Sequence, residues 1–393
     1  MKLVYKVGIV YGIAELIHQM MYLRRYYYFN NLRIKTKEPL SAIRTMVKAL
    51  MKKNRLLFQR ASLYKHSRHI RNENDFCNTM ITRDEEGPAN QLRTGCGKLY
   101  MRYLPLAINV LMKTLRQTGY IYMSWVLGYR RTWHNTEDGY YSVWTHTVPG
   151  TKPFVFFPGL GIGAVPYAKF AKTFGRTVHI VEVPNISYAM SLSNSQATPK
   201  TLYEVVSKHV SDGPDIFAHS IGSTHTAMYL NMIHDRETPK HNVIICDGFV
   251  DPCDVLTNHM YPFVGFGDYN NIRKKPKHWS YFIGFLYMAV YDLEVQTLTK
   301  RYHQLYHGIL WREYPNANIT YVYSKYDILY DTEYIANNSD CVFIPKGSHG
   351  YSIFREPTVL DRRKCPVNCA KGATRTPPFY DDILSKPPIR DGS

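Results

Sequence analysis

The sequence is short of the features that would declare a class outright. Its 393 residues hold seven cysteines, an odd number scattered along the chain, which excludes a disulfide framework. Cys365 and Cys369 form the one close pair, with neither a second pair nor a histidine beside them to complete a zinc site, so no metal is expected. A nucleotide loop is missing too. Gly159, Gly161 and Gly163 alternate, but no Lys-Ser/Thr follows and the spacing is not that of a dinucleotide turn, so no cofactor is expected. The opening residues lack the parts of a cleavable signal: a single Lys precedes the apolar stretch, and no small-x-small site precedes Arg24. Acidic residues are scarce at one end. Residues 1–75 carry 16 Lys or Arg against four Asp or Glu, which is +12 of the net +18.

What is present begins with an apolar run over residues 3–23, broken by Lys6, Glu15, His18 and Gln19. The last three fall on one stripe of a helix, and Lys6 is near enough to the end to snorkel. Arg24-Arg25-Tyr26-Tyr27-Tyr28-Phe29 follows, as a basic and aromatic boundary at headgroup depth would. A membrane surface suits this arrangement better than nucleic acid does, with residues 1–32 either spanning the bilayer as a transmembrane helix or lying in its interface. An interior Glu costs about 2.5–3.5 kcal/mol at a bilayer centre, which keeps a core helix with a solvated basic continuation as the competing reading. If the segment spans, the positive charge after it places the remainder on the cytoplasmic side.

With 45% hydrophobic residues the chain can bury a sizeable core. Residues 33–139 read as a basic, mainly helical region. Ile43, Val47, Leu50 and Met51 recur at helical spacing, residues 72–95 read as a linker, and a helix starts at Pro105 and runs to about 115. From about residue 140 short β-rich runs alternate with helical ones. Strand candidates lie at 141–148, 154–157, 177–183, 215–218, 242–246, 319–323 and 341–344, with helical runs at 164–174, 198–211 and 221–234. That order predicts an α/β fold, a mostly parallel sheet with helices on both faces. Residues 248–318 are too many for a simple crossover and read as an inserted cap, which leaves 140–247 and 319–355 as the core. Residues 356–393 are rich in Arg, Lys, Pro, Gly and Asp and are expected to be a disordered tail.

A serine becomes a nucleophile when a tight strand-to-helix turn exposes it, and that turn needs small residues two before and two after. Ala218-His219-Ser220-Ile221-Gly222 meets the requirement, with Ala in the first small position. The pentapeptide alone is common. Its context adds weight, because an apolar run precedes it and a helical run follows. The Ile221 N–H is the natural first donor to an oxyanion, helped by the helix N-terminus. The turn after residues 154–157, Pro158-Gly159-Leu160-Gly161, would supply the second, from the Leu160 N–H. A base and an orienting acid must follow. His349, flanked by Ser348 and Gly350 after the last strand candidate, suits the base, and Asp327, after the run 319–323, suits the acid. Asp331 and Asp247 are rivals, the latter at the end of the run 242–246.

Through the glycine turn at 158–161, the elbow at Ser220 and the pair Asp327 and His349, residues 140–355 resemble the α/β-hydrolase superfamily, especially its lipase and esterase branches. The family commonly has His-Gly in the first turn, where this chain has Pro158-Gly159. The resemblance implies an α/β-hydrolase fold and a serine hydrolase acting on carboxylic esters through Ser220, His349 and Asp327. In this family the insertion covers the site, and here its residues 279–291 are strongly apolar and aromatic, so a lipid ester is the expected substrate. Two other outcomes share the same residues: acyl transfer to an alcohol, and a catalytically silent hydrolase-fold scaffold at a membrane.

Overall fold

The structure is a computed structural model that describes residues 2–31, 41, 45, 81–83, 90–92, 103–137, 139–183, 186, 197–210, 213–234, 236, 239–248, 305–312, 314–324, 341–344, 349, 350 and 353. Most of the expected cap, the expected tail and Asp327 lie outside these residues.

Eight strands form one sheet in the order β10-β9-β8-β7-β5-β6-β4-β3. In chain order these are β3 (Arg130–Thr136), β4 (Gly139–His146), β5 (Phe154–Phe157), β6 (Val178–Glu182), β7 (Asp215–His219), β8 (His241–Cys246), β9 (Ala317–Ser324) and β10 (Cys341–Ile344). The pairs β3/β4 and β4/β6 are antiparallel, and every other pair is parallel. A separate antiparallel pair, β1 (Ile81–Arg83) with β2 (Asn90–Leu92), lies in the stretch expected to be linker.

The central strands β5, β6 and β7 are buried at every residue because both faces are covered. Successive side chains sort to opposite sides. Val155 and Phe157 of β5 join Ile216 and Ala218 of β7 in one core cluster, and Phe154 and Phe156 join Phe217 in the other. The first cluster takes in helices α4 (Pro199–Ser207) and α5 (Gly222–Ile233). The second takes in α2 (Leu106–Trp125) and α3 (Val165–Lys172). Helices therefore cover both faces, as expected.

Local signals explain the ends of these helices. Thr198 caps α4, its side chain accepting from the Thr201 N–H in a reciprocal capping box, and Pro199 fills the first turn. Pro105 precedes α2, which runs on past the expected end to Trp125. The continuation passes through Gly119, where a Cβ would meet Val165 Cγ1 of α3 at 2.5 Å, so the glycine permits close packing of α2 on α3.

Sheet and helices are tied at Glu182, which is buried at the end of β6. It accepts from Tyr120 Oη, Ser142 Oγ at 2.6 Å, Trp144 Nε1 at 3.0 Å and the Ala164 N–H at 3.1 Å, and pairs with Arg131 at 3.3 Å. Burial pushes the Tyr120 phenol up, with the Glu182 charge adding to it. Near the other end of the chain, α6 (Leu305–Gly308) is held to α5, where Asn231 Nδ2 donates to the carbonyls of His307 and Ile309.

The chain opens with α1 (Lys2–Asn31), longer than the apolar run. Among the described residues no helix is long and apolar enough to cross a membrane, so the transmembrane alternative is not supported. The polar stripe on α1 has partners: Glu15 accepts from Tyr11, from Tyr103 and from the Leu106 N–H, and His18 Nδ1 is 2.8 Å from Tyr103 Oη.

Candidate active site

β7 ends at His219, and the chain turns into α5 at Gly222. Ser220 sits in that turn with φ of +52°, a left-handed conformation that a side chain adopts at a cost of roughly 1–3 kcal/mol. Three contacts hold it there. Its N–H donates to the Cys246 carbonyl of β8 at 3.0 Å, and its carbonyl accepts from the Ser223 N–H at 3.0 Å and from Ser223 Oγ. The flanking positions must be small. A Cβ on Gly222 would strike the Phe157 carbonyl oxygen, and one on Gly159 would lie 3.0 Å from Ser220 Cβ and 2.6 Å from His219 Nδ1.

This strained serine stands at the C-terminal end of a central parallel strand and at the head of a helix, in a sheet whose one swap of sequential order puts β6 between β4 and β5. The chain has the α/β-hydrolase fold.

Within that hydrolase fold the turn after β5 lies against the elbow. The Gly159 N–H donates to Tyr167 Oη at 3.0 Å and the Gly161 N–H to the Ile186 carbonyl at 3.1 Å. Between them the Leu160 N–H has no acceptor among the described residues, and neither has the Ile221 N–H. Both of the expected oxyanion donors are thus unspent there.

His349 is buried, its ring centroid 4.9 Å from that of His219, the residue before Ser220. His349, expected at the site, therefore lies against the elbow that carries Ser220. Asp247 belongs to the same cluster. One nitrogen from each of His219 and His349 and a carboxylate oxygen of Asp247 all lie within 4.8 Å of one another.

Asp247 directly follows β8 and, with Ser220, is one of the two non-glycine residues at left-handed φ among those described, at +45°. Its Oδ1 accepts from the Ser324 N–H at 2.8 Å. Its Oδ2 accepts from Ser324 Oγ at 3.1 Å and from the Gly350 N–H at 2.8 Å. Cys246 Sγ, 3.9 Å from Oδ2, adds a weaker contact, so the carboxylate is fixed in orientation beside the two histidines. Asp327 and Asp331 lie outside the described residues.

The same three side chains could in principle ligate a cation, but three hydrogen bonds already hold the carboxylate and Tyr167 holds one nitrogen of His219. The donor set suits proton handling better than metal binding.

His219 is a member that the sequence reading missed, since the residue before the serine can be of any kind in the elbow pattern. It is fully enclosed, with Nδ1 3.0 Å from Tyr167 Oη. That hydroxyl also accepts from the Gly159 N–H, so Tyr167 ties the glycine turn to the histidine. Burial, with the neighbouring His349 adding to it, drives the His219 imidazole well below its ordinary pKa. His219 is therefore a neutral wall of the site.

No family model matches the sequence, and no curated protein matches it. Solved structures do resemble the chain. A membrane phospholipase A described as a bacterial virulence factor is 13% identical, over 64% of this chain and 90% of its own, with a TM-score of 0.44. The naproxen esterase of Bacillus subtilis is 10% identical, over 63% and 92%, at 0.41. An α/β-hydrolase-fold protein from Burkholderia ambifaria is 12% identical, over 56% and 93%, at 0.36. At these scores the fold rests on the strand order and the elbow.

Proposed function

We propose that the protein is a serine hydrolase of carboxylic esters, with lipid esters as its substrates. Ser220 Oγ attacks the acyl carbon while His349 takes its proton, and the Leu160 and Ile221 N–H groups receive the oxyanion. His349 then returns the proton to the leaving alcohol. Water, activated by the same histidine, releases the acid. No cofactor or metal enters the cycle.

The orienting acid is Asp247 in this reading, with Asp327 the alternative. Asp247 has its carboxylate beside His349, and the Gly350 N–H that it binds belongs to the residue after the histidine. A carboxylate so placed fixes the imidazole tautomer and stabilises the imidazolium.

The observation that carries the proposal is the left-handed Ser220 at the strand-to-helix turn, with the His349 ring against that of His219, the residue before the serine. A silent scaffold would have no use for that strain. The lipid part rests on the apolar insertion and on the basic, apolar N-terminus, which also favour a working position on a membrane surface. A panel of p-nitrophenyl esters of rising acyl length tests it. Turnover that grows with chain length and vanishes in Ser220→Ala supports the reading, whereas equal turnover in the variant refutes it.

A further inference from the structure

The apolar surface near the N-terminus is larger than one helix. On α1, Leu3, Val4, Tyr5, Val7, Val10, Ile13 and Leu16 are each more than half exposed. On α2, Val110, Leu111, Leu115, Ile121 and Trp125 are likewise half exposed or more, Trp125 at 87%. Monomeric proteins rarely leave so many large apolar side chains of two adjoining helices in water.

The two helices are joined at a polar latch. Glu15 accepts from Tyr103 and, at 3.0 Å, from the Leu106 N–H, which caps the start of α2. His18 Nε2 is 3.5 Å from Asn109 Nδ2 and its other nitrogen meets Tyr103. Hydrogen bonds to Tyr103, the largest effect, and to Tyr11 hold the Glu15 carboxyl below its ordinary pKa. The one acidic residue of α1 is thus engaged within the protein, and α2 has none. Lys2, Lys6, Arg24, Arg25, Lys113 and Arg116 give these helices a wholly basic remainder.

The far half of α2 is fixed to the hydrolase core. Met123 is fully buried, Tyr120 donates to Glu182, and Gly119 packs on Val165. Whatever α2 docks on is therefore held at a set orientation to the sheet.

We infer that α1 and α2 form one membrane-docking face, latched by Glu15, that seats in the headgroup and acyl boundary of a bilayer rich in anionic phospholipid without crossing it. The basic residues select anionic lipid and the exposed side chains enter the apolar layer. This rests on the membrane-associated reading but not on the chemistry of Ser220. What it adds is α2, which ties the docking face to the enzyme's core.

Co-flotation of the full chain with vesicles tests it, using pure phosphatidylcholine and phosphatidylcholine with 30 mol% phosphatidylserine (an order-of-magnitude level for an anionic leaflet). The expected result is at least tenfold stronger partitioning onto the anionic vesicles, weakening as salt rises. Leu111→Glu with Leu115→Glu, on the exposed face of α2, is expected to cut that partitioning about tenfold, as is Ile13→Glu with Ile17→Glu on α1. Circular dichroism and the melting temperature report whether each variant is folded, without reference to activity. Glu15→Gln, a milder change, is expected to weaken binding while the core stays folded. Undiminished binding by the folded α2 variant overturns the proposal, as does equal binding to neutral vesicles. A defined dimer that fails to float with either vesicle would show that a second copy covers the face, and overturns it too.

Discussion

Ser220 and Asp247 follow the paired ends of two neighbouring strands, β7 and β8, and both are held in the left-handed region, at φ of +52° and +45°. The Ser220 N–H bonds the carbonyl of Cys246, so the two strained residues share one hinge of backbone. Strain of this kind persists where the surroundings over-determine it, and here one residue offers a hydroxyl and the other a carboxylate. His349 lies beside Asp247 and against the elbow: its ring is next to His219, and its Gly350 neighbour donates to Asp247.

The first prediction separates the two candidate acids. Asp247→Asn is expected to lower kcat by roughly a thousandfold to ten-thousandfold, since an amide holds the imidazole in the wrong tautomer. Asp327→Asn is expected to cost less than tenfold. Reversed effects would move the acid to the end of the following strand.

Gly159→Ala should damage the site more than the fold. The added Cβ meets His219 Nδ1 at 2.6 Å and Tyr167 Oη at 2.8 Å, in a region with no room to yield. Overpacking of this sort costs about 1–3 kcal/mol, and the displaced Leu160 amide should lower kcat about a hundredfold. Thermal melting and steady-state kinetics on the same sample would read both. Unchanged kcat would remove the turn from the oxyanion site.

Removing the Glu182 carboxylate leaves five partners without their acceptor. Glu182→Ala is expected to destabilise by about 3–5 kcal/mol in urea titration, as breaking a buried pair does. A loss below about 1 kcal/mol would mean that the cluster is repaired by water.

Stability should fall on mild acidification. His179 is buried against the ring of His209, and burial, with that neighbour's charge, lowers its pKa from an ordinary 6.5 to about 4. The unfolded chain takes up the proton first, so the loss begins as pH drops through 6.5 and is complete near 4, amounting to about 3 kcal/mol from this group. Burial depresses the His219 and His241 values in the same direction. Urea titrations at pH 7.5 and 5 should differ for the wild type and differ less for His179→Gln. An equal pH dependence would clear His179.

Much of the sheet was legible because its central strands are short apolar runs bounded by turns, as at Phe154–Phe157. β3 was not. It is an edge strand of sequence Arg-Arg-Thr-Trp-His-Asn-Thr with mostly exposed residues, and nothing in that composition asks for burial. Ser220 and His349 could be placed from their positions relative to strands. The choice between Asp247 and Asp327 could not, because both follow a strand. What favours Asp247 is three hydrogen bonds from Ser324 and Gly350, residues more than seventy positions away. The polar stripe of α1 likewise carried no sign of Tyr103 and Leu106, the partners that answer it.

The most direct test of the account is labelling of the folded full chain with a fluorophosphonate probe, followed by mass spectrometry of the modified peptide. The account predicts one adduct, on Ser220, that is absent in Ser220→Ala and forms far more slowly in His349→Ala and Asp247→Asn. An unlabelled wild type, or a label that persists in Ser220→Ala, would contradict it.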